Sequence, residues 1–231
     1  MKKVAFYGAG YPYAHIDDLP GKLIVLEGTD GVGRSTQTDL LRQWLEVEGF
    51  GVSDTGLARS PLTQPGLDAA KAGHTIGRLT MNLFYATDFA DRLENNIIPA
   101  LKAGFCVLSD RYFYSVIARN VVRGADPEWA RNVYGFALKP DIIFYLKADV
   151  PTLVHRVLRG RGFDYWESGM DIRCADNLYD SFVNYQTQLI KQFEKMTEEF
   201  GFIVIDANRS VNEIFEDLKK YTKELLDNNN T

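Results

Sequence analysis

Gly28-Thr29-Asp30-Gly31-Val32-Gly33-Arg34-Ser35-Thr36 is the stretch that decides the fold. It follows Leu23-Ile24-Val25-Leu26, a continuous apolar run that predicts a strand buried on both faces. It opens onto a helix predicted from Ser35 to Glu48, with Leu40, Leu41, Trp44 and Leu45 on one side and Gly49 at its end. Strand, glycine-rich turn and helix together make a phosphate cradle. Glycines let successive N–H groups face one point, and the helix N-terminus adds partial positive charge there. The spacing G-x-x-x-x-G-[K]-[ST] is met except that Arg34 stands where lysine is usual. Gly28, Asp30, Gly31, Val32, Gly33, Arg34, Ser35 and Thr36 are thus the candidate phosphate contacts, with Arg34 as the cation and Ser35 as a hydroxyl ligand for Mg²⁺. Arginine keeps the charge but carries a larger planar fork. A working site of altered geometry and a binding site with poor turnover both remain open.

Outward from this loop, short β-rich runs alternate with longer helical ones. Strands are predicted at 51–54, 105–108, 141–146 and 202–205, the second of these ending at Ser109-Asp110-Arg111. Helices are predicted over Thr75–Lys102 with a bend near Pro99, Pro127–Leu138, Val150–Leu158, Asn177–Phe200 and Val211–Leu226, and a loop with some helix over 55–73. Asp227–Thr231 reads as a frayed polar tail. Such alternation implies a parallel sheet covered by helices on both faces. The 231 residues fit one domain. A net charge of -5 argues against sequence-independent nucleic-acid binding, which needs a basic surface. No apolar run is long enough to span a membrane, and the N-terminus lacks the apolar core of a signal peptide. Cys106 and Cys174 form no ligand pattern, which points to a reducing compartment.

Cations recur where phosphates would need them: Arg34, Arg111 at a strand end, and Arg159 and Arg161 in an irregular segment. Arg159-Gly160-Arg161-Gly162 suits a lid closing over phosphates, with Asp164 and Glu167 balancing it when open. Asp110 could hold Mg²⁺ through water. The plain alternatives are a strand-end ion pair at Asp110-Arg111 and solvated surface charge at Arg159 and Arg161.

The chain resembles the thymidylate kinases among the P-loop nucleoside monophosphate kinases. The resemblance rests on Glu27 to Gln37, Leu83-Phe84-Tyr85-Ala86, Ile98-Pro99-Ala100-Leu101, Ser109-Asp110-Arg111-Tyr112 with Ser115, Pro140-Asp141, the arginine-bearing segment after Arg156, and Val204-Ile205-Asp206-Ala207. It implies an α/β, P-loop NTPase-like three-layer sandwich. Its core would be a five-stranded parallel sheet over 22–226, with a lid at about 159–173 and an extension at 1–21. It also implies transfer of the ATP γ-phosphoryl group to dTMP with Mg²⁺, in a cytoplasmic homodimer. The catalytic cations would be Arg34, Arg111, Arg159 and Arg161. By resemblance Asp30 accepts from the sugar 3′-hydroxyl, Arg111 grips the acceptor phosphate, and Tyr112 and Ser115 shape the acceptor pocket. The remaining readings are the same reaction on another nucleoside monophosphate, and a nucleotide-binding module with little turnover.

Departures cluster on the acceptor side. The family's arginine that reads the thymine carbonyl, one turn past a stacking aromatic, has no counterpart. One register places Tyr85 and Phe89 there, the other Phe84 and Asp88, and Arg92 is the nearest substitute. The T-R-E-P-G-G-type segment is replaced by Asp54 to Ser60, where Arg59 is the candidate phosphate contact, and A-Y-Q by Ala118-Arg119-Asn120. Phe6, Tyr7, Tyr11 and Tyr13 in the extension are expected to pack on the domain or on a partner subunit.

Overall fold

The computed structural model describes residues 4–13, 16 and 18–227. Five strands, β1 (Lys22–Gly28), β2 (Val52–Gly56), β3 (Cys106–Asp110), β4 (Ile142–Lys147) and β5 (Ile203–Asp206), form one parallel sheet in the order β2-β3-β1-β4-β5. The helices around it are α1 (Arg34–Val47), α2 (Gln64–Ala72), α3 (Arg78–Arg92), α4 (Ile98–Lys102), α5 (Phe113–Val122), α6 (Pro127–Val133), α7 (Val150–Arg159), α8 (Leu178–Phe200) and α9 (Val211–Asp227). Parallel neighbours cannot be joined by tight turns, so helices carry the chain from strand to strand. The apolar runs are buried as expected: Leu23 to Leu26, Val107, Leu108 and Phe144 to Leu146 have almost no exposed surface. Each such side chain contributes roughly 1.5–3 kcal/mol.

The chain divides into two compact units. The first comprises Met1–Val25 and Arg42–Asp141, and the second Leu26–Leu41 and Ile142–Thr231. In the first, β2 and β3 pair in register from Val52↔Cys106 to Gly56↔Asp110. An aromatic core fills this unit, with Phe89, Tyr112, Phe113 and Tyr134 all within ring contact. In the second, β4 pairs with β5 from Phe144↔Ile203 to Lys147↔Asp206. Helix α8 buries Phe182, Tyr185, Leu189, Phe193 and Met196, a helical stripe. Side chains start its helices: Asp149 Oδ1 accepts from Thr152 N at 2.8 Å, and Asn177 Oδ1 from Asp180 N at 2.9 Å. Gly201 in the left-handed region ends α8.

Three expectations are corrected. The helix read across Thr75–Lys102 is interrupted by a π-helical turn, Leu93–Ile97. Pro99, which has no N–H to give to the preceding turn, follows it, and the wider turn takes up the break. Helix α5 is absent from the sequence reading because Phe113 to Ile117 is aromatic and β-branched. Burial of six consecutive residues, Phe113 to Ala118, overrides that local preference. The helix expected to reach Leu138 stops at Val133, because 135–139 bond to the N-terminal segment instead. Of the predicted frayed tail, Asp227–Thr231, Asp227 is the last residue of α9 and 228–231 lie outside the described residues.

Candidate active site

In the second unit, the loop after β1 is shaped by glycine. Gly28, Gly31 and Gly33 have φ of 150°, 81° and 98°. A Cβ at Gly28 would lie 2.6 Å from the Leu146 carbonyl oxygen, and one at Gly31 2.7 Å from a Val157 methyl. At Gly33 nothing lies within 4 Å, so this turn of the loop faces open space. The opening at Gly33 is a cradle that a side chain would narrow, consistent with an anion on the loop amides.

Arg34 turns back on its own loop. Its guanidinium donates to the Gly28 carbonyl and, at 2.5 Å, to that of Thr29, and the side chain is buried. Both bonds come from one nitrogen, Nη1, which bridges two adjacent carbonyls of the loop. Arg156 on α7 donates to the Val32 carbonyl at 3.0 Å, and Gln37 on α1 to the Val211 carbonyl at 2.9 Å. Arg156 is a loop contact that the sequence reading does not single out. Its one signal is its place three residues before Arg159 on a helix whose Val157 fills the space beside Gly31. Asp30 is buried, whereas Ser35 and Thr36 are exposed at the start of α1. No cluster of three metal-ligating side chains occurs among the described residues. Ser35 fits the one protein hydroxyl that Mg²⁺ needs when phosphates and water supply the rest.

Arg159 and Arg161 are exposed, and Arg161 is ion-paired with Glu167, the carboxylate expected to balance it. The rest of this segment is fastened to α8. Ser181 Oγ donates to the Ser168 carbonyl at 2.7 Å, and Gln186 Nε2 to the Glu167 carbonyl at 2.8 Å. Asp164 Oδ1 accepts from the N–H groups of Trp166 and Glu167 at 2.9 and 3.0 Å, a tight side-chain turn. Arg159 ends α7, and Arg161 therefore projects from the anchored loop that follows it, its guanidinium exposed, so little opposes re-aiming it.

In the first unit, β3 ends at Asp110 and the chain turns sharply at Arg111, whose φ is 70°. Ser109 Oγ donates to the Arg111 carbonyl at 2.7 Å, and the Tyr112 hydroxyl to the Leu138 carbonyl at 3.0 Å. Tyr112 and Ser115 are buried, and burial pushes the Tyr112 phenol far above its usual range, so it acts only as a neutral donor and wall. Phe89 has no exposed surface and stands among Tyr112, Phe113, Tyr134 and Phe136.

Arg92 and Asp88 form a buried pair at 2.9 Å, with Arg92 Nη1 also donating to Thr55 Oγ1 at 3.3 Å. The same Asp88 carboxylate accepts from Ala58 N at 3.1 Å and Ser60 N at 2.8 Å. Ser60 Oγ donates to Asp91 at 2.5 Å. Asp88, the residue standing at the arginine position in one register, is thus the anchor of the loop after β2. Arg59 on that loop pairs with Asp54 at 2.9 Å and stays exposed. Tyr85 is buried and its hydroxyl accepts from Lys71 Nζ at 2.6 Å, while Phe84 packs beside Gly66 of α2. Arg59, Phe84, Tyr85, Phe89, Arg92, Arg111, Tyr112 and Ser115 thus share the first unit, and Asp30 with the phosphate loop, Arg159 and Arg161 share the second.

Comparison with known proteins follows the same lines. The thymidylate kinase family profile matches residues 26–218. The chain is 36% identical to a probable thymidylate kinase 2 of Saccharolobus solfataricus over 212 residues, 91% of this chain and 99% of the relative. It is 31% identical to a probable thymidylate kinase of Thermococcus gammatolerans over 208 residues, 86% of this chain and 94% of the relative. It is also 31% identical to a thymidylate kinase of Halothermothrix orenii over 217 residues, covering 90% and 99% of the two chains.

Proposed function

Since the chain belongs to the thymidylate kinase family and so transfers the γ-phosphoryl group of ATP to dTMP, we propose how its own residues divide that work. The loop Gly28 to Thr36 holds the ATP phosphates through its backbone amides, with Arg34 bracing the loop and supplying charge. Asp30 accepts from the sugar hydroxyl of the acceptor. Arg111 grips the acceptor phosphate, supported by Arg59, and Phe84 and Tyr85 form the acceptor wall, while the buried Phe89, Tyr112 and Ser115 belong to the core and act only through packing, a correction to their reading as substrate contacts. Arg92, the sequence candidate for reading the base, is buried and paired with Asp88, so it acts by holding the loop after β2. Arg159 and Arg161 close over the transferring group, Arg161 leaving Glu167 to do so.

No general base is needed. A nucleoside monophosphate is a dianion near neutral pH, because its second pKa is about 6. Its oxygen attacks the γ-phosphorus directly, and the O–P bond to ADP breaks as the new one forms. The protein aligns the two phosphates and offsets their charge. Ser35 would hold Mg²⁺, which would supply further charge neutralisation on the donor phosphates. The observation that carries this reading is the glycine-built loop with its open face at Gly33 and a buried guanidinium across its carbonyls.

The enzyme works as a homodimer, a reading supported by the exposed Leu79 and Leu83, one turn apart on α3. Neither cysteine is in a disulfide, which supports a cytoplasmic setting, and no helix among the described residues is long and apolar enough to cross a membrane. ADP formation from Mg-ATP with a panel of nucleoside monophosphates tests the proposal. Turnover with dTMP above all others is the expected result. Preference for a different acceptor would move the base assignment, and ATP binding without turnover would identify a nucleotide-binding module.

A further inference from the structure

The family profile begins at residue 26, and the residues before the first strand lie outside it. Residues 5–8 are nonetheless built into the first unit. They run antiparallel to 135–139, with a bridge between Phe6 and Leu138. Tyr7 N donates to the Ala137 carbonyl at 3.1 Å, Gly8 N to that of Gly135 at 2.7 Å, and Lys139 N to that of Ala5 at 2.8 Å. The crossing is close enough that a Cβ on Gly8 would lie 2.8 Å from Gly135 Cα. Only a glycine passes there.

This crossing seats the Tyr7 side chain. Its ring stands edge-on to Phe113 and Tyr114, with centroids at 5.3 and 6.0 Å. Its hydroxyl lies 2.5 Å from that of Tyr114, and Lys139 Nζ sits 5.2 Å over the ring. Phe113 and Tyr114 are the first two residues of α5, immediately after Arg111 and Tyr112. Tyr112 is tied to the Leu138 carbonyl, the residue that also bridges to Phe6. Arg111 holds a positive φ, which a side-chain-bearing residue keeps only when its surroundings over-determine it. Further along, the Tyr11 hydroxyl donates to Glu94 at 2.8 Å, a second fastening of the same segment.

We propose that residues 5–8 are a strap that holds the turn presenting Arg111 to the acceptor phosphate, with Tyr7 as its positioning residue. The proposal rests on the role of Arg111 under Proposed function. A turn held at Tyr112 by the Leu138 carbonyl and at Phe113 and Tyr114 by Tyr7 keeps the Arg111 guanidinium aimed. Loosening it spreads that aim over many rotamers and weakens acceptor binding, while the phosphate loop, in the second unit, is untouched.

The test compares Tyr7→Ala with wild type in the full chain. The readouts are KM for each substrate, kcat, melting temperature, and amide exchange at 111–117. We expect KM for dTMP to rise about five- to tenfold, with KM for ATP and kcat within about twofold and exchange at 111–117 accelerated. Tyr7→Phe, which keeps the ring contacts, stays within about twofold of wild type throughout. Gly8→Val, which lifts the strap by contact with Gly135, reproduces the Tyr7→Ala pattern and serves if that variant is insoluble. An unchanged KM for dTMP overturns the proposal. So does an equal rise in both KM values with a falling melting temperature, the mark of general destabilisation. If wild type fails to phosphorylate dTMP, the phosphotransfer reading falls. Exchange at 111–117 then decides the strap, acceleration supporting it and no change overturning it.

Discussion

In Gly28 to Thr36, three glycines with positive φ set the backbone and Arg34 folds onto the loop that carries it. In Gly56 to Ser60, the backbone is set from outside. Asp88, some thirty residues on in α3, collects the N–H groups of Ala58 and Ser60 together with the Arg92 guanidinium. The first region makes its shape mainly from its own glycines and Arg34, with one brace from Arg156, and the second borrows it from a helix. Locally made shape tolerates few substitutions and leaves a motif. Borrowed shape leaves only scattered residues, because any segment of suitable length can be tied down by a distant carboxylate.

The largest effect is expected at that tie. Asp88→Ala leaves Arg92 buried without its carboxylate and two N–H groups without an acceptor. It should destabilise the fold by about 3–5 kcal/mol in urea melts. A loss under about 1 kcal/mol would show that the 56–60 loop holds its own shape, and the contrast between the two regions would vanish. Next is Gly28→Ala. With a Cβ 2.6 Å from the Leu146 carbonyl oxygen, the loop must shift. Affinity for a non-hydrolysable ATP analogue should fall about a hundredfold, or about 2.8 kcal/mol, in calorimetry, while dTMP, which meets the loop only at Asp30, loses less than about tenfold. Equal losses for both ligands would break the division of labour.

Arg34→Lys should be milder. The lysine keeps the charge and a nitrogen able to donate to both carbonyls, and loses the planar guanidinium, so kcat should move by less than about tenfold in either direction. A gain above about a hundredfold would mean that arginine handicaps the loop and that the chain is chiefly a binding module. The smallest effect is chemical. Cys106, buried on β3 with its thiol pushed up to about 11 by desolvation, should resist a thiol reagent at pH 8 until the protein unfolds. Cys174, half-buried, should react in the native state. Rapid reaction at Cys106 would show that the first unit opens readily.

The same contrast explains what could be read from the residues alone. The sheet was legible because Leu23 to Leu26, Phe105 to Leu108 and Ile142 to Leu146 are unbroken apolar runs at α/β spacing, and the loop because its glycines are local necessities. Helix α5 was not, since Phe113 to Ile117 favours extended structure until it is packed among Phe89, Tyr134 and Tyr7. Nor was the role of Asp88, whose neighbours in space are far away in the chain. Arg156 lay in plain view but gained meaning only from its bond to Val32. The strap at 5–8 left one sequence trace, its density of aromatic residues. Of these, Tyr7 packs and Tyr13 remains 86% exposed.

The most direct test is amide exchange with each substrate supplied alone. If the loop holds the donor phosphates and the first unit the acceptor phosphate and base, a non-hydrolysable ATP analogue protects 28–37 and 156–167, and dTMP protects 56–60, 84–92 and 109–115, touching the loop only at Asp30. Protection of 28–37 by dTMP with no change at 109–115, or of 109–115 by the ATP analogue with no change at 28–37, would contradict that division.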